Sequence, residues 1–415
     1  MATDSETIID VWRGTIGVFF TAAAFAQQIV PVGKVPGGAA GFDANQHGEP
    51  LPCTVTFTKP QLNLAFRFET TYAARIPLDA YAGGEHKWRI LFQVAPRGGQ
   101  PVYFTDSFDV PGSSDRAFDA IVKGTFFTGE GDYDVKWSLW DDLGRVCRQN
   151  PRLEAHLTRN EQNVKAEMPP GAVGDFAWQP ASQESVAAKT RRVTVLMNAA
   201  LPRVKQGQSA DDEWPALLTI LSSLLDRAPE ASVRLVVFNL DQQRELFRKD
   251  DFTTKDVAGI AHEGDAAARW AVDANVLQNP PGGWELIRKL ESAEIRATPA
   301  PDMVLFLGLP AGSAEKMPDD MPQPASAQTP RFMYLSYRLD PQTSAQALRV
   351  GRGGGPSLPR GGREAMGEII LRGNPRSGYP APDPVEQAVH RMGGRTITIS
   401  SADALSKAIS EVEKR

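Results

Sequence analysis

Catalysis by histidine needs a second group within hydrogen-bond reach, and metal binding needs ligands at fixed spacing. The five histidines, His47, His86, His156, His262 and His390, are scattered, with no HExxH and no i,i+4 pair. His390 falls on an amphipathic helical stretch and reads as a surface or core-edge residue. His262-Glu263 followed by Asp265 reads as a polar, solvated loop beside the open edge of a sheet. No G-x-S-x-G elbow stands in the chain, and no Ser-x-x-Lys with partners. The pairs Asp141-Asp142, Asp211-Asp212 and Asp250-Asp251 lie in turns and at helix starts, where carboxylates cap or stay solvated. The run 279–283, NPPGG, precedes a helix and could turn backbone N–H groups toward an anion. It lacks the lysine and the spacing of a P-loop, so a turn leading into a helix is expected. In 349–376, Arg349, Arg352, Arg360, Arg363, Arg372 and Arg376 stand among glycines and prolines. Such composition can bind RNA, yet no aromatic is interleaved before Tyr379, and base stacking needs aromatic faces. A loop is expected there, with Arg352, Arg360 and Arg363 available to an acidic partner or envelope glycan.

The element that would position any such chemistry is the stretch 191–203, RRVTVLMNAALPR. Its apolar, β-branched run 193–197 has the character of a buried parallel strand, and the strand ends in small residues and a proline. Open α/β sheets place ligands in the loops at the C-terminal ends of their strands. Here that loop offers Asn198, Ala200 and Leu201, and none of these is an acid, base or nucleophile.

At 415 residues the chain is long enough for two or three domains, each with its own core. Its net charge of −5 argues against a general polyanion binder and so against nucleic acid. Near the N-terminus, 15–26 is a short apolar run ending in Ala24-Phe25-Ala26, an A-x-A cleavage pattern. It is too short to span a bilayer. We therefore expect 1–26 to be a signal peptide, although Asp4, Glu6 and Asp10 precede Arg13 where a positive segment is usual. A translation start near Val11 would remove that conflict. An export signal implies a secreted or periplasmic protein.

The run 27–50, rich in Gly and Pro, reads as a linker. From 51 to 160 short alternating runs at 53–57, 62–70, 88–95, 101–110, 133–141 and 152–158 read as strands separated by turn signals. No long helical pattern intervenes, so an antiparallel β-sandwich of immunoglobulin-like kind is expected. Trp88, Trp137 and Trp140 would fill its inner faces. Cys53 and Cys147 flank this region, and a disulfide between them would fit an oxidising compartment. After a linker at 161–190, the pattern becomes strand 193–197, helix 213–227 capped by Asp211 or Asp212, strand 232–240, and a short antiparallel edge at 245–248. Helix 284–295, strands 302–310 and 331–339, helix 384–392, strand 395–400 and helix 402–413, capped by Ser400 or Ser401, complete it. Apolar strands alternating with amphipathic helices predict a doubly wound, mostly parallel sheet over 191–415.

This order, with its early edge strand, resembles the von Willebrand factor A (vWA) domain. Joined to the upstream β-region, including FFTGEGDYDVKWSLWDDLGRVCR at 126–148, it is similar to bacterial secreted VWFA-related proteins. The resemblance implies a Rossmann-like vWA-type sheet preceded by an Ig-like β-sandwich. In that family a D-x-S-x-S motif after the first strand builds an oxygen cage for Mg²⁺. The matching positions are Asn198, Ala200 and Pro202, and no carboxylate stands at 308–310, where a later aspartate is implied. The site is therefore expected to be degenerate, with no metal and no cofactor.

The expected function is a non-enzymatic protein-binding or scaffold module using the rim at the strand ends, bordered by Asn198, Ala200, Leu201 and the 311–330 loop. Two other classes are weighed beside it. A hydrolase would assemble its site from separate loops, with His262, Asp265 and Asn198 as candidates. A self-assembling subunit would use the edge at 245–248.

Overall fold

Alternation of apolar and polar residues over the first half of the chain builds two facing sheets, and the longer apolar runs of the second half build a third. The computed structural model describes residues 28–35, 48–81, 84–111, 119–175, 190–200, 213–263, 283–311, 316–323, 330–338 and 382–414. The fold is α/β plus β.

The first half contains β1 (Gln28–Val30), β2 (Glu49–Pro50), β3 (Thr54–Phe57), β4 (Gln61–Leu62), β5 (Phe68–Pro77) and β6 (Glu85–Pro96). It continues with β7 (Val102–Pro111), β8 (Asp119–Thr128), β9 (Gly131–Asp141), β10 (Arg145–Gln149), β11 (Arg152–Ala155) and β12 (Val173–Gly174). One sheet runs β1-β7-β6-β9-β10-β2 with β11 also on β9, and the other runs β12-β8-β5-β3 with β4 on β5. Their inner faces meet through aromatic rings: Tyr72 of β5 lies 5.5 Å from Phe92 and from Trp137, and Phe126 of β8 lies 5.6 Å from Phe92. The result is a β-sandwich. A disulfide joins Cys53, next to β3, to Cys147 on β10, and so ties one sheet to the other.

Several expectations need correction. Trp88 and Trp137 are buried between the sheets, but Trp140 is not. It sits an odd number of residues from Trp137, so the strand turns it to the outer face, where it packs against Val35, Leu91 and Tyr103. The single strand expected over 62–70 is broken because Asn63 Oδ1 accepts from the backbone N–H of Ala65 (3.0 Å) and Arg67 (3.1 Å). Phe66 there adopts φ 57°, and local Asn chemistry overrides the alternation. Strands β8 and β10 were not expected. In β8, Lys123-Gly124 interrupts the apolar pattern, yet β5 pairs with the strand along its whole length. The stretches 27–50 and 161–190, expected as linkers, contribute β1, β2 and β12 to sheet edges, where backbone pairing needs no side-chain pattern. The expected signal peptide, 1–26, lies outside the described residues.

The second half contains β13 (Arg191–Asn198), α1 (Glu213–Arg227), β14 (Ala231–Asn239), β15 (Arg244–Lys249), α2 (Thr254–Glu263), α3 (Gly283–Ile295) and β16 (Met303–Gly308). It ends with β17 (Arg331–Tyr337), α4 (Pro384–Arg391), β18 (Arg395–Ile399) and α5 (Ala402–Glu413). The sheet order is β15-β14-β13-β16-β17-β18, all parallel except the antiparallel edge β15. Strand β13 is central, as its uninterrupted apolar run predicts. Alternation along it feeds two cores. Val193, Val195 and Met197 join the core that includes α1 and α5, whereas Leu196 joins the one that includes α3 and α4. Helices therefore cover both faces.

At the start of α2 Asp256 Oδ2 accepts from both the backbone N–H and the hydroxyl of Thr253 (2.9 Å each), the acidic half of a T-x-x-D signature that was present in the sequence. His262 and Glu263 belong to the last turn of this helix rather than to a loop. Ser401 Oγ accepts from Ala404 N (3.2 Å) and caps α5, while Asp211 and Asp212 lie outside the described residues.

The sandwich packs on the α1 face. Its interior and the α1–α5 core form one continuous apolar cluster. Ser223 Oγ of α1 donates to Leu64 O (2.9 Å), and Arg227 Nη2 donates to Lys165 O (2.7 Å). The Arg227 guanidinium stacks 3.6 Å over the ring of Phe66. The Asn63 turn that broke the expected strand is thus the part that meets α1.

Candidate functional site

Residues at the C-terminal ends of the parallel strands form the candidate rim. Strand β13 delivers Asn198, which is only 3% exposed. Its Oδ1 accepts from Ala200 N (3.0 Å) and Leu240 N (3.3 Å), and Nδ2 is buried without a hydrogen-bond partner. These two bonds orient the amide and engage its carbonyl oxygen. Ala200 is buried and brings no ligating atom. The next strand approaches so closely that a Cβ on Gly308 would stand 2.9 Å from the Asn198 Cβ. Glycine at this position permits the contact. Asn198 and Ala200 are thus brought to Leu240 and Gly308.

At the far side of the rim, Asp383 caps α4, its Oδ1 accepting from Val385 N (2.9 Å). Tyr334 Oη donates to Asp383 Oδ2 (3.0 Å) and lies 3.1 Å from Leu309 O. Burial pushes the Asp383 carboxyl up to about 6, and the donors from Tyr334 and from the backbone of Val385, Glu386 and Ala311 offset part of that rise. Sequence reading missed this tie, although Asp383-Pro384 before an amphipathic run is an N-cap signature with proline in the first turn. Leu201, Pro202, Asp265, Arg352, Arg360 and Arg363 lie outside the described residues. The hydrolase candidates His262, Asp265 and Asn198 reduce to one helical residue and one buried amide among those described.

Below the rim, α3 carries two buried glutamates. Glu294 accepts from Thr194 Oγ1 (2.8 Å) and Arg234 Nη1 (3.3 Å) through Oε2, and from Arg248 Nη1 (3.3 Å) through Oε1. Glu291, one turn earlier, has no partner on either oxygen among the described residues. Both were legible as apolar-stripe positions, because Trp284, Ile287, Glu291 and Glu294 repeat at helical spacing.

The sandwich holds a separate polar cluster. Asp141 Oδ2 accepts from Tyr81 Oη (2.8 Å) and Arg145 Nε (2.7 Å), while Oδ1 accepts from the backbone N–H of Leu143 (3.1 Å) and Arg145 (2.7 Å). Burial opposes ionisation, but these donors and the arginine charge hold the carboxyl below the usual aspartate range. The expected solvated pair is therefore one buried anchor, Asp141, beside Asp142, whose Oδ1 lies 3.2 Å from His86 Nδ1. His156 Nε2 lies 2.9 Å from Asp132 Oδ1 on an exposed surface. Among the described residues, no three His, Cys, Asp or Glu side chains gather as metal ligands, and no helix is long and apolar enough to cross a membrane.

No family model matches the sequence, and no curated protein matches it. Solved structures offer only distant likenesses. A Bordetella pertussis protein described as ApaA is 10% identical, with 27% of this chain and 100% of that chain covered and a TM-score of 0.15. A β-glucuronidase of Bacteroides uniformis is 7% identical over 69% of this chain and 36% of that chain, with a TM-score of 0.19. A glycosyl hydrolase family 2 member from Bacteroides cellulosilyticus is 13% identical over 73% of this chain and 39% of that one, again at 0.19. At these scores none carries an argument about fold or activity.

Proposed function

We propose that the chain is an exported, non-enzymatic protein-binding or scaffold module. In this reading 1–26 is a leader, 51–160 an Ig-like sandwich, and 191–415 a vWA-like domain whose metal site is degenerate. The observation that carries it is the rim itself. The six strands run in the order 3-2-1-4-5-6 with an antiparallel third strand, and the residue at the end of the first is Asn198, its carbonyl oxygen held by two backbone N–H groups. Partner binding would then need no cation. The disulfide supports an oxidising compartment. The sandwich packs on the α1 face, so in this reading a protein or envelope partner would meet the rim or the α3–α4 side.

Self-assembly through β15 is the weaker reading. Its outer edge carries Arg244, Glu245, Arg248 and Lys249, and charged edges discourage strand addition. A pull-down from native envelope extract, run in parallel with Mg²⁺ and with EDTA, tests the proposal. A partner retained equally in both supports metal-independent binding. Loss in EDTA alone overturns it, and a polymer on size exclusion favours self-assembly.

A further inference from the structure

Glu291 is fully buried, at 0% exposure, and both of its carboxyl oxygens lack hydrogen-bond partners among the described residues. It lies between Ile287 and Glu294 on the stripe of α3 that faces the sheet, and Glu294 fixes where that stripe rests by bonding β13, β14 and β15. Among the described residues, the charged groups on the elements around it make their bonds elsewhere. Arg234 and Arg248 hold Glu294, Arg288 pairs with Asp320, and Arg391 of α4 donates through Nη2 to Asp319 O (2.9 Å), its buried Nε having no partner. On α4, Asp383 is tied to Tyr334, and His390 is exposed and lies 3.4 Å from Thr396 Oγ1. A site with no donor and no opposite charge accepts the neutral acid and rejects the carboxylate.

We propose that α3 is a pH-set latch: Glu291 must hold its proton for the helix to lie on the sheet, and losing it loosens α3 from the apolar face of Leu196, Val236, Val304 and Phe306. Burial alone pushes the carboxyl up to about 8 from its ordinary value of 4.5. The sign follows from linkage. A raised value in the seated state means the seat is firmest below about 4.5 and weakens as pH rises toward 8, then levels. The latch is thus tight in acid and slack in mild alkali.

Amide hydrogen exchange on the full chain tests this between pH 5 and 9, with rates corrected for intrinsic pH dependence. The opening equilibrium of 283–295 is expected to rise about tenfold per pH unit between 5 and 8 and then flatten, while α5 stays level. In Glu291→Gln the α3 profile is expected to be flat. A flat wild-type profile, or an unchanged rise in Glu291→Gln, overturns the proposal. Should Glu291→Gln fail to fold, Glu291→Met serves in its place, and the wild-type profile decides on its own.

Discussion

Asp141 and Glu291 are both buried carboxyl groups, and the regions around them treat the same chemistry in opposite ways. In the sandwich, Asp141 receives four hydrogen bonds, sits beside Arg145 and stays ionised. In the α/β layer, Glu291 receives none and keeps its proton well above the ordinary carboxylate range. Burial raises both groups; what differs is whether donors and an opposite charge answer it. Their pH responses run in opposite directions as a result. Asp141 has a lowered value when folded, so its contribution is present above about pH 4 and is lost as pH falls through the folded value. Glu291 has a raised one, so its contribution is present below about 4.5 and is lost toward 8.

The contrast can be broken at several points. The strongest perturbation is of the bridge that closes the sandwich. Cys53→Ala with Cys147→Ala opens a loop whose ends are 94 residues apart in sequence, and about 4–5 kcal/mol of stability is expected to go with it. Urea unfolding followed by the buried Trp88 and Trp137 reads the loss, and an unchanged midpoint would refute it. Next comes Asp141→Ala, which leaves Arg145 without its counter-ion and is expected to cost about 3–5 kcal/mol. The same variant should lose the acid-dependent part of the wild-type melting curve below about pH 4. On the α/β side the sign reverses. Glu291→Gln should stabilise by about 2–4 kcal/mol at pH 8 and by less than about 1 kcal/mol at pH 5, read by calorimetry at both. If the gain were the same at both values, ionisation of Glu291 would not be its cause.

Smaller effects separate the rim from the helix ends. Asn198→Ala removes the acceptor of two buried N–H groups and should cost about 1–3 kcal/mol by chemical denaturation, with no dependence on added Mg²⁺. A Mg²⁺-dependent stability in the wild type would instead mean that Asn198 meets a cation. Ser401→Ala removes one cap and should cost about 1 kcal/mol, the least of these changes.

Legibility followed the range of the interactions. The ends of α1 and α5, the central place of β13 and the antiparallel edge β15 were readable because helical period, strand alternation and caps act over a few residues. The break at Asn63 and the outward face of Trp140 were readable in principle, from an Asx signal and from parity. Strand β8 was not, because Lys123-Gly124 weakens a local pattern that β5 rescues by pairing. At the rim, the sequence pointed to Asn198 and Ala200 by position but could not say what Asn198 bonds. Leu240 lies 42 residues away in sequence.

From the residues alone follow the two-part organisation into a strand-rich half and an alternating half and the lack of local catalytic and metal motifs. These depend on composition and short-range period. Only the tertiary structure decided that Asp141 is anchored and Glu291 is not, that the Asn63 turn meets Arg227 of α1, and that Asn198 packs against Gly308. Those outcomes depend on which distant donors, charges and backbones reach a buried atom, and a one-dimensional pattern holds no information about that distance.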